Sequence, residues 1–108
     1  MSKVLDNAVI QASTTVYSQP IDMGDGNTLN YAVSLIVCGG SNFPTVSVEL
    51  SSDLITWTPG ASSITTTGTP SYDETTETSI AFRYARIVVV TGATSPSVVN
   101  VSVNSVRI

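Results

Sequence analysis

Apolar and polar residues alternate with a period of two along most of this chain. Over residues 29–37 the odd positions are Leu29, Tyr31, Val33, Leu35 and Val37, and the even ones are Asn30, Ala32, Ser34 and Ile36. That spacing predicts a strand with one buried face, whose other, half-polar face also invites cover. After Gly39-Gly40-Ser41-Asn42, read as a turn, Val46, Val48 and Leu50 alternate with Thr45, Ser47 and Glu49 to give a second strand. Beyond Leu50 the parity flips to Ile55 and Trp57, so Ser51-Ser52-Asp53 is expected to be a turn or bulge. Pro59-Gly60 is expected to end the strand that carries Trp57.

Residues 61–79 are mostly Thr, Ser, Gly and acid, and read as short edge strands around a broad loop. Residues 80–91 are apolar at both parities, with Phe82, Tyr84, Val88 and Val90 opposite Ala81, Ala85, Ile87 and Val89. This places them in a central strand or an oligomer contact. Val99, Val101 and Val103 give way to Val106 and Ile108, which predicts a bulge near Asn104-Ser105 in a paired C-terminal strand. Near the start, Thr14, Val16 and Ser18 alternate up to Pro20, and residues 22–27 form a polar turn. Residues 1–10, with weak periodicity, read as a contact arm. The count is about seven or eight short strands, with no helix, repeat or linker. The expectation is one all-β domain over residues 1–108, a two-sheet antiparallel sandwich of jelly-roll type.

Composition agrees with this. Ser and Thr make up 31 of 108 residues and Val another 15, a mixture that favours strands. Only 11% of residues are charged and mean hydropathy is +0.27, which suggests a surface partly covered by copies of the chain or by a partner. A net charge of −4, with Lys3, Arg83, Arg86 and Arg107 the only bases, offers no patch for nucleic acid. No apolar run approaches the roughly 20 residues of a membrane span, and the first residues lack the apolar core of a secretion signal. Synthesis in a cytoplasm is expected. The single Cys38 excludes an internal disulfide and reads as a small apolar residue at a strand end.

Little in the chain points to chemistry. With no His, a nucleophile has no imidazole base, and zinc lacks ligands. Asp73, Glu74 and Glu77 could supply a carboxylate pair, but in a Thr-rich loop nothing would fix their separation, so no enzyme is expected. Asp22, Asp25 and Asn27 could offer oxygens to a hard cation, although Asp-Gly-Asn is also what a plain turn requires; no cofactor is expected. Trp57 shares parity with Ile55 and is assigned to the core. Arg83 and Arg86, three apart, are expected on opposite faces, one of them at a subunit contact with Glu49 or an acid of residues 73–77, or else as an ordinary surface charge. A glycan surface would use Tyr17, Tyr72 and the 22–27 turn.

The stretch running through Ile21-Asp22-Met23, the Val46 strand, Ser52-Asp53, Trp57 and Phe82-Arg83-Tyr84-Ala85-Arg86-Ile87 resembles two groups of sandwich proteins. One comprises small phage virion proteins with jelly-roll folds, the decoration or cement proteins and related head or tail auxiliary proteins. The other comprises discoidin-like carbohydrate- and lipid-binding domains, from which the chain departs by lacking Gly in its Ser-Asp turn, by Phe82 and Ala85, and by having no disulfide. The first resemblance implies a non-enzymatic capsid decoration protein in the virion, with sister subunits, a trimer, and the major capsid protein as partners. The alternatives are a carbohydrate-binding module or a tail or baseplate domain.

Overall fold

The computed structural model describes residues 2–40, 43–68, 70–92 and 96–107. Nine strands and no helix are found among them: β1 Ser2–Ile10, β2 Thr15–Tyr17, β3 Ile21–Asp22, β4 Thr28–Cys38, β5 Thr45–Ser51, β6 Thr58–Thr65, β7 Ser71–Glu77, β8 Tyr84–Val90 and β9 Ser97–Val106. They form two antiparallel sheets, ordered β1-β9-β4-β7 and β2-β8-β5-β6, with β3 also on β8. β2 and β3 are one arm of the fold, broken before Pro20, which has no N–H to give a ladder. Ser18 bridges the break alone: its N–H donates to the Ile87 carbonyl and its Oγ accepts the Ile87 N–H, both at 2.9 Å.

With β2 and β3 counted together, the antiparallel pairs are β1·β9, β2/β3·β8, β4·β7 and β5·β6. These are the nested pairs of one long hairpin rolled over itself, so successive arms alternate between sheets, and the result is a jelly roll. The core lies between the sheets. β4 contributes Leu29, Tyr31, Val33 and Leu35, β5 Val46, Val48 and Leu50, β8 Ala85, Ile87 and Val89, and β9 Val99, Val101 and Val103, all buried. Each such aliphatic side chain stabilises by about 1.5–3 kcal/mol when fully buried. The seven valines and Ile87 among them are β-branched, a shape that suits the pleat better than a helix.

Several local expectations are corrected. β9 pairs with β4 in unbroken register through Asn104, Ser105 and Val106, so no bulge lies there. The irregularity is on β4 between Leu35 and Val37, and it turns Val37 outward, 53% exposed. Residues 2–10, expected as a contact arm, form the edge strand β1, paired along β9. Two register breaks, with Asn7 at φ 47°, disrupt its alternation and hide it from a period-two reading. Pro59 and Gly60 lie inside β6. The predicted edge strands of residues 61–79 are present as β6, ending at Thr65, and β7, starting at Ser71. Of the 39–42 turn, Ser41 and Asn42 lie outside the described residues, as does Ile108. Cys38 ends β4 as expected.

Candidate functional site

The outer face of the β2-β8-β5-β6 sheet carries the densest arrangement of side chains capable of recognition. Glu49 on β5 and Arg86 on β8 are directly opposed in register. One carboxylate oxygen, Oε1, accepts from Arg86 Nε at 2.8 Å and from Nη2 at 2.6 Å. The guanidinium lies over the Tyr17 ring at 3.9 Å and the Trp57 ring at 4.2 Å. Both partners of the ion pair are mostly covered, at 21% and 24% exposure. A planar cation between two ring faces is held by quadrupole attraction of about 0.5–1 kcal/mol per ring at such depth, and it is fixed in orientation. β2 supplies Tyr17 because its register puts that residue opposite Val88, which is buried on the outward side of β8 beneath this cluster.

This corrects the assignment of Trp57 to the core. Residues 52–57 are not a strand. Asp53 Oδ1 accepts the N–H groups of Ile55 and Thr56, both at 2.9 Å, and the Ser51 hydroxyl at 3.0 Å. Ser51 Oγ in turn accepts the N–H groups of Asp53 and Leu54. The backbone bonds from Thr56 and Ile55, then that from Ser51, hold the Asp53 carboxyl below the ordinary carboxylate range. The knot forces Leu54 to φ 66°, a costly conformation for a bulky side chain. It leaves Leu54 44% and Ile55 83% exposed beside the stack. The predicted turn at Ser51-Ser52-Asp53 is therefore present, and it directs Trp57 onto the outer face.

The other candidates fall elsewhere. Tyr72, 61% exposed, sits opposite Ser34 on the outer face of the second sheet and donates to Glu74, so it cannot join Tyr17 in one surface. Asp73 and Glu77 lie on β7, a strand and not a loop, so a rigid frame exists. Both Glu77 oxygens are nonetheless taken by β6: Ala61 N–H at 2.9 Å, Ser62 N–H at 2.8 Å and Ser62 Oγ at 2.5 Å. Asp22 accepts from Gly24 N–H at 2.9 Å and from Arg83 at 3.3–3.4 Å, and the Gly24 bond and then the Arg83 partner hold its carboxyl below the ordinary range. Arg83 precedes β8, while Arg86, on the strand, meets Glu49 of its own chain.

Arg83 and Arg107 border an open groove of about 540 Å³ with residues 24–27 and 80–82, where Arg107 donates to the Asp25 carbonyl at 2.8 Å. Asp22 and Asp25 offset both cations there, so the groove shows no net preference for an anion. Among the described residues, no group of three or more His, Cys, Asp or Glu is placed to hold a metal ion. Compared with protein-family models and with the curated proteins, the chain matches none.

The sheet edges limit how this molecule can meet another. β2/β3 is interrupted by Pro20. β6 has two of its N–H groups sealed by Glu77. β1 is kinked by its register breaks, carries Lys3 and Asp6, and is tied to β9 by reciprocal Asn7–Asn100 bonds. Such devices discourage pairing of an exposed edge with a foreign strand. The fourth edge, β7, pairs with β4 in unbroken register and carries Asp73 and Glu74, so the sheet faces and this edge are what the architecture leaves for contact.

Proposed function

We propose that this chain is a non-enzymatic structural protein of a virus particle, a capsid decoration or cement-type jelly roll. It self-associates, as a trimer, and attaches to the major capsid protein. The observation that carries the contact role is the Tyr17–Arg86–Trp57 stack with its Glu49 counter-charge, flanked by exposed Leu54 and Ile55. Trp, Tyr and Arg are the residues in which interface energy concentrates. Here they are pre-organised, so little side-chain entropy remains to be lost on association.

The occupant best matched to this face is a second copy of the chain. Each copy carries a net charge of −4, and bringing two together costs least where charge is already cancelled internally, as Arg86 and Glu49 do here. Assembly into a symmetric ring would then multiply weak contacts with the shell into durable attachment. The virion setting is supported by the jelly-roll wiring and by the small size and lack of a disulfide, which set the chain apart from the discoidin-like domains that its Ser52-Asp53, Trp57 and Phe82–Ile87 stretches also resemble. The test is sedimentation velocity of the purified chain together with mass spectrometry of purified particles. The expected result is a discrete oligomer and a capsid-stoichiometric amount of the chain in particles; a monomer absent from particles refutes the reading.

One observation favours a second reading. Trp57 and Tyr17 stand on the same outer face, as a sugar-stacking surface requires. Against it, Arg86 covers one face of each ring. Selective retention on a glycan array, lost in Trp57→Ala while the wild-type chain stays monomeric, would establish a carbohydrate-binding module instead.

A further inference from the structure

Glu77 is the last residue of β7, in one sheet, yet its carboxylate belongs to the hydrogen-bonding of β6 in the other. The register explains why donors are free there. Pairing of β5 with β6 steps from Ser47↔Ser63 to Glu49↔Pro59, so Gly60, Ala61 and Ser62 all stand opposite Val48 alone. The bulge removes N–H groups from the ladder, and Glu77 takes those of Ala61 and Ser62. Gly60 makes the approach possible: a Cβ there would lie 2.6 Å from Val48 Cγ1 and 3.0 Å from Glu77 Cδ. The Ser62 hydroxyl gives its one hydrogen to Glu77 Oε1, so the Tyr31 hydroxyl, 2.9 Å away, must donate to Ser62.

We propose that Glu77 is an acid-sensitive latch on the seam between the two sheets: ionised, it clips residues 60–62 of β6 to β7, and once protonated it releases them while the paired cores of both sheets persist. All three groups bonded to the carboxylate are donors. A neutral carboxyl carries a hydrogen on one oxygen, so at least one N–H then faces an uncharged hydroxyl oxygen, a much weaker acceptor. Tyr31 of β4 is the titratable group facing Glu77 from the packed elements; β6 and Val48 of β5 bring none, and β7 itself carries Asp73 and Glu74. Burial pushes the Glu77 carboxyl up, but the bonds from Ser62 and Ala61 outweigh it and the group sits below the ordinary carboxylate range. The latch therefore holds through mild acid. Its contribution is complete above the unfolded-chain value and is lost as pH falls through the lower folded value.

The test is amide NMR and hydrogen exchange on the intact chain from about pH 7 down to about pH 3. The Ala61 and Ser62 amide protons should titrate together at a value below that of a free glutamate. Across it their protection should fall about tenfold or more relative to Val46 and Val89. Glu77→Gln should leave the same two amides poorly protected at neutral pH and without titration. Unchanged protection of Ala61 and Ser62, or loss only in step with Val46 and Val89, overturns the latch. If Glu77→Gln does not fold, the wild-type titration decides alone.

Discussion

Gly60→Ala is the substitution whose cost is most firmly set by the packing. The backbone at Gly60 is not in the left-handed region, so any penalty comes from the added methyl group. That methyl would meet Val48 Cγ1 at 2.6 Å, and Glu77 Cδ and Oε1 at 3.0 and 3.1 Å. Val48 is a fully buried core residue and cannot retreat, so the strain falls on β6 or on the Glu77 carboxylate. Overpacking of this kind costs about 1–3 kcal/mol, and weakening one charge-assisted bond adds about 1 kcal/mol, giving about 2–4 kcal/mol in all. For a chain of this size the midpoint should drop by about 10–25 °C in thermal unfolding followed by circular dichroism. Two other glycines calibrate the result. Gly68→Ala meets open space and should change stability by no more than about 0.5–1 kcal/mol, whereas Gly24→Ala, at φ 60°, should cost about 1 kcal/mol through backbone strain alone. Wild-type stability in Gly60→Ala would refute the close approach of β6, Val48 and Glu77.

Further outcomes follow from the same contacts. Glu77→Gln should lower stability by about 2–4 kcal/mol at neutral pH and flatten the loss of stability on acidification, because a carboxylate held below its ordinary range stabilises only while ionised; urea unfolding at a series of pH values checks this. Tyr31→Phe removes only the hydroxyl bonded to Ser62 and should cost about 0.5–1.5 kcal/mol in the same assay. Arg86→Ala should cost about 1–2 kcal/mol, from lost ring contacts and the stranded Glu49, and should raise acrylamide quenching of Trp57 fluorescence. Millimolar calcium or a chelator should leave the thermal midpoint unchanged, since the Asp22 carboxylate is already engaged by Gly24 and Arg83.

The inward faces of β5 and of β4 as far as Leu35 were legible because each covers a core on one side and keeps a period of two over those residues. The central position of the β8 segment was legible from its apolar character at both parities, although its outward face is closed at Val88 and open at Val90. Trp57 was misplaced because alternation with Ile55 mimics a strand. What decides its position is the Ser51–Asp53 knot and the pull of Arg86, which is a pairing across 29 residues that no local pattern reveals. The clue available in the sequence was Ser51-Ser52-Asp53 itself, whose side chains favour capping their own backbone over joining a ladder. Glu77 was read as part of an acidic loop because its partners, Ala61 and Ser62, become donors only through a bulge set by register. β1 escaped notice since an edge strand with two register breaks buries too little to show a period.

If copies of this chain meet through the Tyr17–Arg86–Trp57 face, as proposed, their association depends on the side chains at that face. Sedimentation velocity at micromolar concentration, on the wild type and on Ile55→Asp with Trp57→Ala, tests it most directly. The expected result is a discrete oligomer of 11.3 kDa subunits for the wild type and a folded monomer for the double variant. A wild-type monomer, or an oligomer that survives both substitutions, would contradict it.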